Sequence, residues 1–261
     1  MNLVEDAIPE PSVQDVIKAF RSTQPILWKM GLTGVHDFDR SRCFSALQVL
    51  HQSDELKLRV LKSIPLEDLP HAISLGLRSG FGDDMLRIGS VKLFADGALG
   101  PRTAAMLQPY ETDPENTGLL MLDSEALVEY GQQAIKNGIS MAVHAIGDRA
   151  NHEVLNAYSQ LKEFENSLYI QSKTRLRHRI EHVQILHPDD VERLSALNII
   201  ASMQPIHATS DMLMADQFWG KRAAHAYAWR EQLSNGASLI FGSDAPVESP
   251  NPFWGIHAAV T

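Results

Sequence analysis

Val91-Lys92-Leu93-Phe94-Ala95-Asp96-Gly97-Ala98-Leu99-Gly100 reads as a short strand running into a glycine-rich loop. As a strand it places Lys92, Phe94 and Asp96 on one face and Val91, Leu93 and Ala95 on the other. Both faces are largely apolar, which suits a strand covered on both sides in a parallel sheet. Lys92 is the anomaly. A bare ammonium buried there is strongly destabilising or gives up its proton. Two readings account for it. In one, Lys92 is ion-paired with an internal carboxylate. In the other, it is carboxylated, which turns a cation into a carbamate that can bridge metal ions.

Moving outward, strand-like and helix-like stretches alternate. Ser12 is placed to cap a helix beginning VQDVIKAFRS, which Pro25 is expected to kink or end. Residues 32–38 read as a first strand and 56–64 as a second, with a helix over residues 43–52 between them. Residues 65–76 read as helix or loop, and residues 86–96 as the third strand. The connection 97–122, with three prolines and no strong period, is long enough to suggest a functional loop. A helix over 124–137 leads to an apolar strand at 139–147, then a helix over 148–164. Strands at 177–184, 199–205 and 238–244 follow, separated by helices at 188–197 and 224–235. Seven strand–helix alternations mean a parallel sheet, and the length favours one α/β barrel domain over residues 1–261.

Composition narrows the function classes. The chain has 261 residues, 44% of them hydrophobic, enough for one large core. Net charge is −9 and no lysine/arginine block marks a nucleic-acid footprint. No apolar run approaches the ~20 residues of a membrane span. The start, MNLVEDAIPEPS, is acidic and lacks the apolar core of a signal peptide. The one cysteine, Cys43, fits a reducing compartment, so a cytoplasmic location is expected. The expected partner is a small-molecule substrate, with no nucleic acid and no membrane.

In an α/β barrel, chemistry collects where strands finish. Here those positions carry His36, Asp37, Lys92, Asp96, His144, His182, His207 and Asp244. Imidazole nitrogens and carboxylate oxygens are zinc-type ligands. Each residue also has a plainer reading. His36 and His144 suit satisfied core histidines, His207 lies beyond Pro205 as a loop residue, and Asp244 suits a helix cap. His178 shares strand parity with His182 and competes with it. Together, the plain readings would require several unrelated polar residues to converge on one rim. The loop 96–100 also has the flavour of an anion cradle, but it lacks the GxGxxG and P-loop patterns. There is no GxSxG elbow, which ranks a serine nucleophile low.

KLFADGALG (Lys92–Gly100), HAIGDRA (His144–Ala150), RIEHVQ (Arg179–Gln184) and FGSDAPVE (Phe241–Glu248) together resemble the metal-dependent amidohydrolase superfamily, in its YtcJ-like, amidohydrolase 3 branch. The likeness runs from GLTGVHD (Gly31–Asp37) to NPFWGIHAAVT (Asn251–Thr261). It implies a (β/α)8 TIM barrel of the metallo-dependent hydrolase type. One or two divalent metals, usually zinc, would sit at its C-terminal rim. It also implies roles: Lys92 as the carboxylated lysine, His144 and His182 as metal ligands, and Asp244 as both ligand and general base. The implied reaction is metal-assisted hydrolysis of a C–N amide-type bond.

Three features depart from the family. No His-x-His pair, the mark of the family's first strand, occurs in these 261 residues. Seven strands are countable rather than eight, and no accessory β-sandwich is evident, so the barrel is expected to lack its first strand. That leaves two unpaired apolar edges. Three arrangements answer the gap: residues 1–11 fill it, a second copy covers it, or it stays open. Association is expected, since an apolar edge is a template for another chain, and a homo-oligomer is the anticipated form.

Overall fold

The computed structural model describes residues 9–168 and 176–261. Seven strands form a single sheet in sequence order, and every neighbouring pair is parallel. They are β1 (Gly34–Asp37), β2 (Arg59–Pro65), β3 (Leu86–Phe94), β4 (Met141–Ala145), β5 (Arg179–His182), β6 (Ile200–Met203) and β7 (Ser238–Phe241). Between and around them run α1 (Val13–Lys29), α2 (Ser41–Gln52), α3 (Leu69–Ser74), α4 (Ser124–Lys136), α5 (Asp148–Leu168), α6 (Arg193–Leu197), α7 (Pro205–Trp219), α8 (Trp229–Ser234) and α9 (Pro252–Val260). The result is an open α/β barrel whose edges, β1 and β7, pair with no further strand among the described residues. Residues 1–8, part of the segment suggested as a gap filler, lie outside the described residues. No helix of the described chain is long and apolar enough to cross a membrane.

The alternation around Lys92 is what the sequence pattern dictates. Val91, Leu93 and Ala95 are fully buried in the main cluster with Leu127, Ile135, Val143, Val154, Leu155 and Ile180, between sheet and helices. Lys92 and Phe94 take the opposite, inner face. β4 repeats the rule, with Met141, Val143 and Ala145 in that cluster and His144 inward. Each fully buried Leu or Ile contributes about 2–3 kcal/mol of burial, so these central strands carry most of the stabilisation.

Several elements differ from expectation. α1 begins where Ser12 caps it, its hydroxyl accepting from Asp15 N at 3.2 Å, but it passes straight through Pro25 to Lys29. Tertiary contacts hold that turn. Gln24 donates to the Glu55 carbonyl at 3.1 Å and accepts from Lys57 N at 2.7 Å. Arg21 forks onto both oxygens of Glu55. An interior proline loses one helical hydrogen bond and crowds the carbonyl four residues back, costs that these contacts offset. Pro205 ends no strand. It opens α7, a helix the sequence pattern hides because its apolar residues lie all around it: Ile206, Ala215 and Trp219 are buried while Met212 and Leu213 are exposed. The helix expected over 224–235 is shorter, a 3-10 turn at Gly220–His225 and then α8.

Candidate metal centre

Parallel strands bring all their C-terminal ends to one rim. His144, one residue before the end of β4, and His182, the last of β5, meet there edge to face, with ring centroids 4.5 Å apart. His182 gets there by leaving the alternation. Its parity matches that of Ile180, which faces the helices, yet its φ of +78° turns the side chain back toward the rim. A positive φ at a non-glycine residue is strained and tends to persist at functional sites. Asp244, three residues past β7, has φ +57°. His207 lies in the first turn of α7 and is buried. One donor atom from each of His182, His207 and Asp244 falls within 4.8 Å of the others. His144 stands beside this trio, ring to ring with His182.

Hydrogen bonds assign the tautomers. His144 Nε2 is 2.8 Å from the Gly97 carbonyl, which only accepts, so Nε2 carries the proton and Nδ1 keeps a free lone pair. His182 Nδ1 donates to Gln204 Oε1 at 2.8 Å, and Gln204 is oriented by its own amide donating to the Ser202 carbonyl. That leaves Nε2 of His182 as the free acceptor. Such outer bonds are how proteins aim histidines at metals. Burial keeps both rings neutral. It pushes His144 down to about 4, helped by Lys92, and His182 well below its ordinary value, helped by His144 and Lys92.

Lys92 is 8% exposed and forms no ion pair or hydrogen bond among the described residues. Its ammonium lies over the rings of Phe94, at 4.7 Å, and Phe38, at 5.0 Å. Burial lowers its pKa to about 8, although the Glu181 and Asp244 carboxylates pull the other way. Neither carboxylate is within ion-pair distance, so the simple pairing with Asp244 is not formed. A cleft of about 780 Å³ opens beside it, lined among others by Phe38, Phe94 and Met121.

Other strand-end residues are placed elsewhere. His36 is exposed on the edge strand and pairs its Nδ1 with Arg179, at 2.6 Å. Asp37 forms a largely buried ion pair with Lys62, at 2.6 Å. Asp96 accepts only backbone N–H bonds. His178, the rival of His182, obeys parity and packs on the helix side against Tyr158 and Glu165. In the loop read as an anion cradle, Gly97 N and Ala98 N are already bonded to Thr103. His207, counted among the strand-end positions but read there as a loop residue and given no ligand role, joins the cluster from the first turn of α7. The signal that could have found it is the proline at the start of a helix, with the histidine two residues on.

The chain matches the model of the amidohydrolase family over residues 2–261. It belongs to that family. Within it the chain falls in the YtcJ-like branch: it is 32% identical over 266 residues to the putative amidohydrolase YtcJ of Bacillus subtilis (strain 168), covering 99% of this chain and 48% of that protein. It is 34% identical over 211 residues to the protein LONG AFTER FAR-RED 3 of Arabidopsis thaliana, covering 80% of this chain and 35% of the relative. The crystal structure of an uncharacterized metal-dependent hydrolase from Pyrococcus furiosus superposes with TM-score 0.86 at 32% identity, over 96% of this chain and 51% of that one. This amidohydrolase chain therefore spans about half the length of those relatives, or less.

The family implies a metal, and the residues fit one. Three neutral or anionic donors converge, two histidines each keep one nitrogen free by bonding the other, and the adjoining lysine is buried with no ion pair or hydrogen bond among the described residues.

Proposed function

We propose that this chain carries most of the centre of a metal-dependent hydrolase, acting on a C–N amide-type bond of a small molecule. The observation that carries the reading is the pair of histidines aimed by Gly97 and Gln204 beside His207, Asp244 and an unpartnered Lys92. His144, His182 and Asp244 would hold a divalent ion, zinc by donor type, with Lys92 and His207 contributing. When bound, such an ion supplies Lewis acidity toward a carbonyl and lowers the pKa of water. The chain's own residues do the rest. Asp244, with a side chain 40% exposed and Oδ2 3.6 Å from His207 Nε2, takes a proton from water and returns it to the leaving nitrogen. Lys92, with its pKa lowered to about 8, holds more free amine at neutral pH than an exposed lysine. In that form it can add carbon dioxide: the N–C bond forms, one proton leaves the nitrogen, and the neutral amine becomes an anionic carbamate.

A second reading has its own observation. The chain has no His-x-His pair, and β1 is an open edge. By itself it would then be a metal-binding body that needs further strands for catalysis. Metal analysis with anomalous scattering, together with mass measurement of Lys92, tests the centre. Stoichiometric zinc and a carbamate support it, and their absence removes it. Amide hydrolysis by this chain, beside a version extended to the relatives' length, separates the two readings.

A further inference from the structure

Asp96 follows β3 by two residues, and its side chain is fully buried. It faces no side-chain cation within hydrogen-bond distance. Instead Oδ1 accepts from Ile146 N at 3.0 Å, and Oδ2 accepts from Gly147 N at 2.8 Å and Ala105 N at 2.9 Å. These amides come from two different segments, the turn after β4 and the long loop 97–122. The segments press together closely. A Cβ at Gly147 would lie 1.9 Å from the Ala105 carbonyl oxygen, and one at Gly97 2.1 Å from Thr103 Oγ1.

His144 sits two residues before Ile146, and Gly97 directly follows Asp96. One carboxylate thus ties the segment that carries the histidine to the carbonyl that fixes its tautomer. Asp96 Oδ1 is itself 3.5 Å from His144 Nε2, beyond a good bond but near enough to favour a proton there. With three donors converging on it, Asp96 has no role as a metal ligand, although it lies at a strand end among them.

We propose that Asp96 is a positioning residue. It clamps the 97–105 loop to the 145–147 turn so that His144 is held as the Nε2–H tautomer, with Nδ1 presented to the metal. This rests on the metal-centre reading above for its purpose, but not for its geometry. The substitution Asp96→Asn keeps the shape and removes the match: an amide NH2 faces backbone N–H groups where an oxygen stood. Outer-shell losses of this kind weaken metal binding about 10- to 100-fold.

The test uses the full chain with 15N-labelled histidine and Zn2+ as the probe. Imidazole 15N shifts of metal-free protein report the His144 tautomer, and chelator competition reports zinc affinity. The expected result is a pure Nε2–H ring in wild type. D96N should show a mixture and bind zinc at least tenfold more weakly. Asp148→Ala is the control, because Asp148 anchors the same loop through Leu107 N at 2.8 Å, away from His144. D148A should lower the melting temperature yet leave tautomer and affinity alone. An Nδ1–H ring in wild type overturns the proposal. So does a D96N protein with unchanged tautomer and affinity, or a D148A protein that shifts both as far as D96N. If D96N does not fold, D96S is read in its place, since its hydroxyl still accepts one amide. Failure of wild type to bind zinc would remove the metal-centre reading, while the tautomer shifts would still decide Asp96.

Discussion

The middle of the sheet and its ends are built differently. β3, β4 and β5 are buried along nearly their whole length, and β5 at every residue. β7 has no buried residue, and neither has α9, where Phe253, Trp254, Ile256 and Val260 are each more than half exposed. The central strands are covered by helices on one side and by the curl of the sheet on the other. Each end strand has only one paired neighbour among the described residues. The candidate centre straddles this divide. Lys92, His144 and His182 stand on the buried strands, whereas Asp244 hangs from β7. The candidate donors that burial keeps neutral come from the stable region. The group expected to move protons comes from the exposed one, where water reaches it.

The largest test of this contrast is a pair of truncations. Leu93→Ala on β3 should cost about 2–5 kcal/mol in urea unfolding, because it opens a cavity among fully buried side chains. Ile256→Ala on α9, 56% exposed, should cost less than about 0.5 kcal/mol. Equal costs would mean that α9 is as well supported as the centre.

Next in size is Lys92→Met, measured free of metal and carbon dioxide. The folded-state pKa is lowered from 10.5 to about 8, so between those pH values the unfolded chain binds more protons. Wild-type stability must then rise with pH over that window. Below pH 8 both states are protonated and the buried ammonium exerts its full penalty. K92M should therefore be the more stable protein at pH 7, by up to about 3 kcal/mol at about 1.4 kcal/mol per pH unit. The advantage should shrink from pH 8 to 10.5 and vanish above. A pH-independent difference, or a K92M protein less stable at pH 7, would show that the lysine is better solvated than its surroundings indicate.

A subtler test is hydrogen exchange. Amides of β3–β5 should exchange only with global unfolding, and those of β7 by local opening, hundreds of times faster. Zn2+ should slow residues 238–244 selectively, because Asp244 joins the edge to the centre. Uniform protection without metal would erase the comparison.

The smallest expected effect concerns the open edges. We propose that the chain self-associates through β1 and β7, whose outer backbone groups have no partner strand among the described residues. Light scattering after size exclusion should show a dimer at micromolar concentration. A monomer at every concentration would show that the open edges do not bring copies together.

The residues themselves determined the repeating order of strand and helix. Short apolar runs beside glycine, such as 139–147, read as strands covered on both sides, and period-two parity put Lys92 on the face opposite Val91 and Leu93, which the structure buries against the helices. The motif residues at strand ends were legible for the same reason, since a parallel sheet sends every C-terminal end to one rim. Only the folded chain decided the rest. Parity favoured His178 as much as His182, and a single φ of +78° separated them. α7 has no apolar stripe to read, so His207, a strand-end candidate that also read as a loop residue, was placed on a helix only by the folded chain. Asp96 looked like a ligand from its place after β3. In the folded chain amides distant in sequence, at Ala105, Ile146 and Gly147, arrive at its oxygens, the geometry on which the proposed clamp rests. Local patterns encode which face a residue takes. They do not encode which backbone groups from elsewhere will meet it there, and those meetings give a strand-end carboxylate its three amide donors and leave a buried histidine with one nitrogen free.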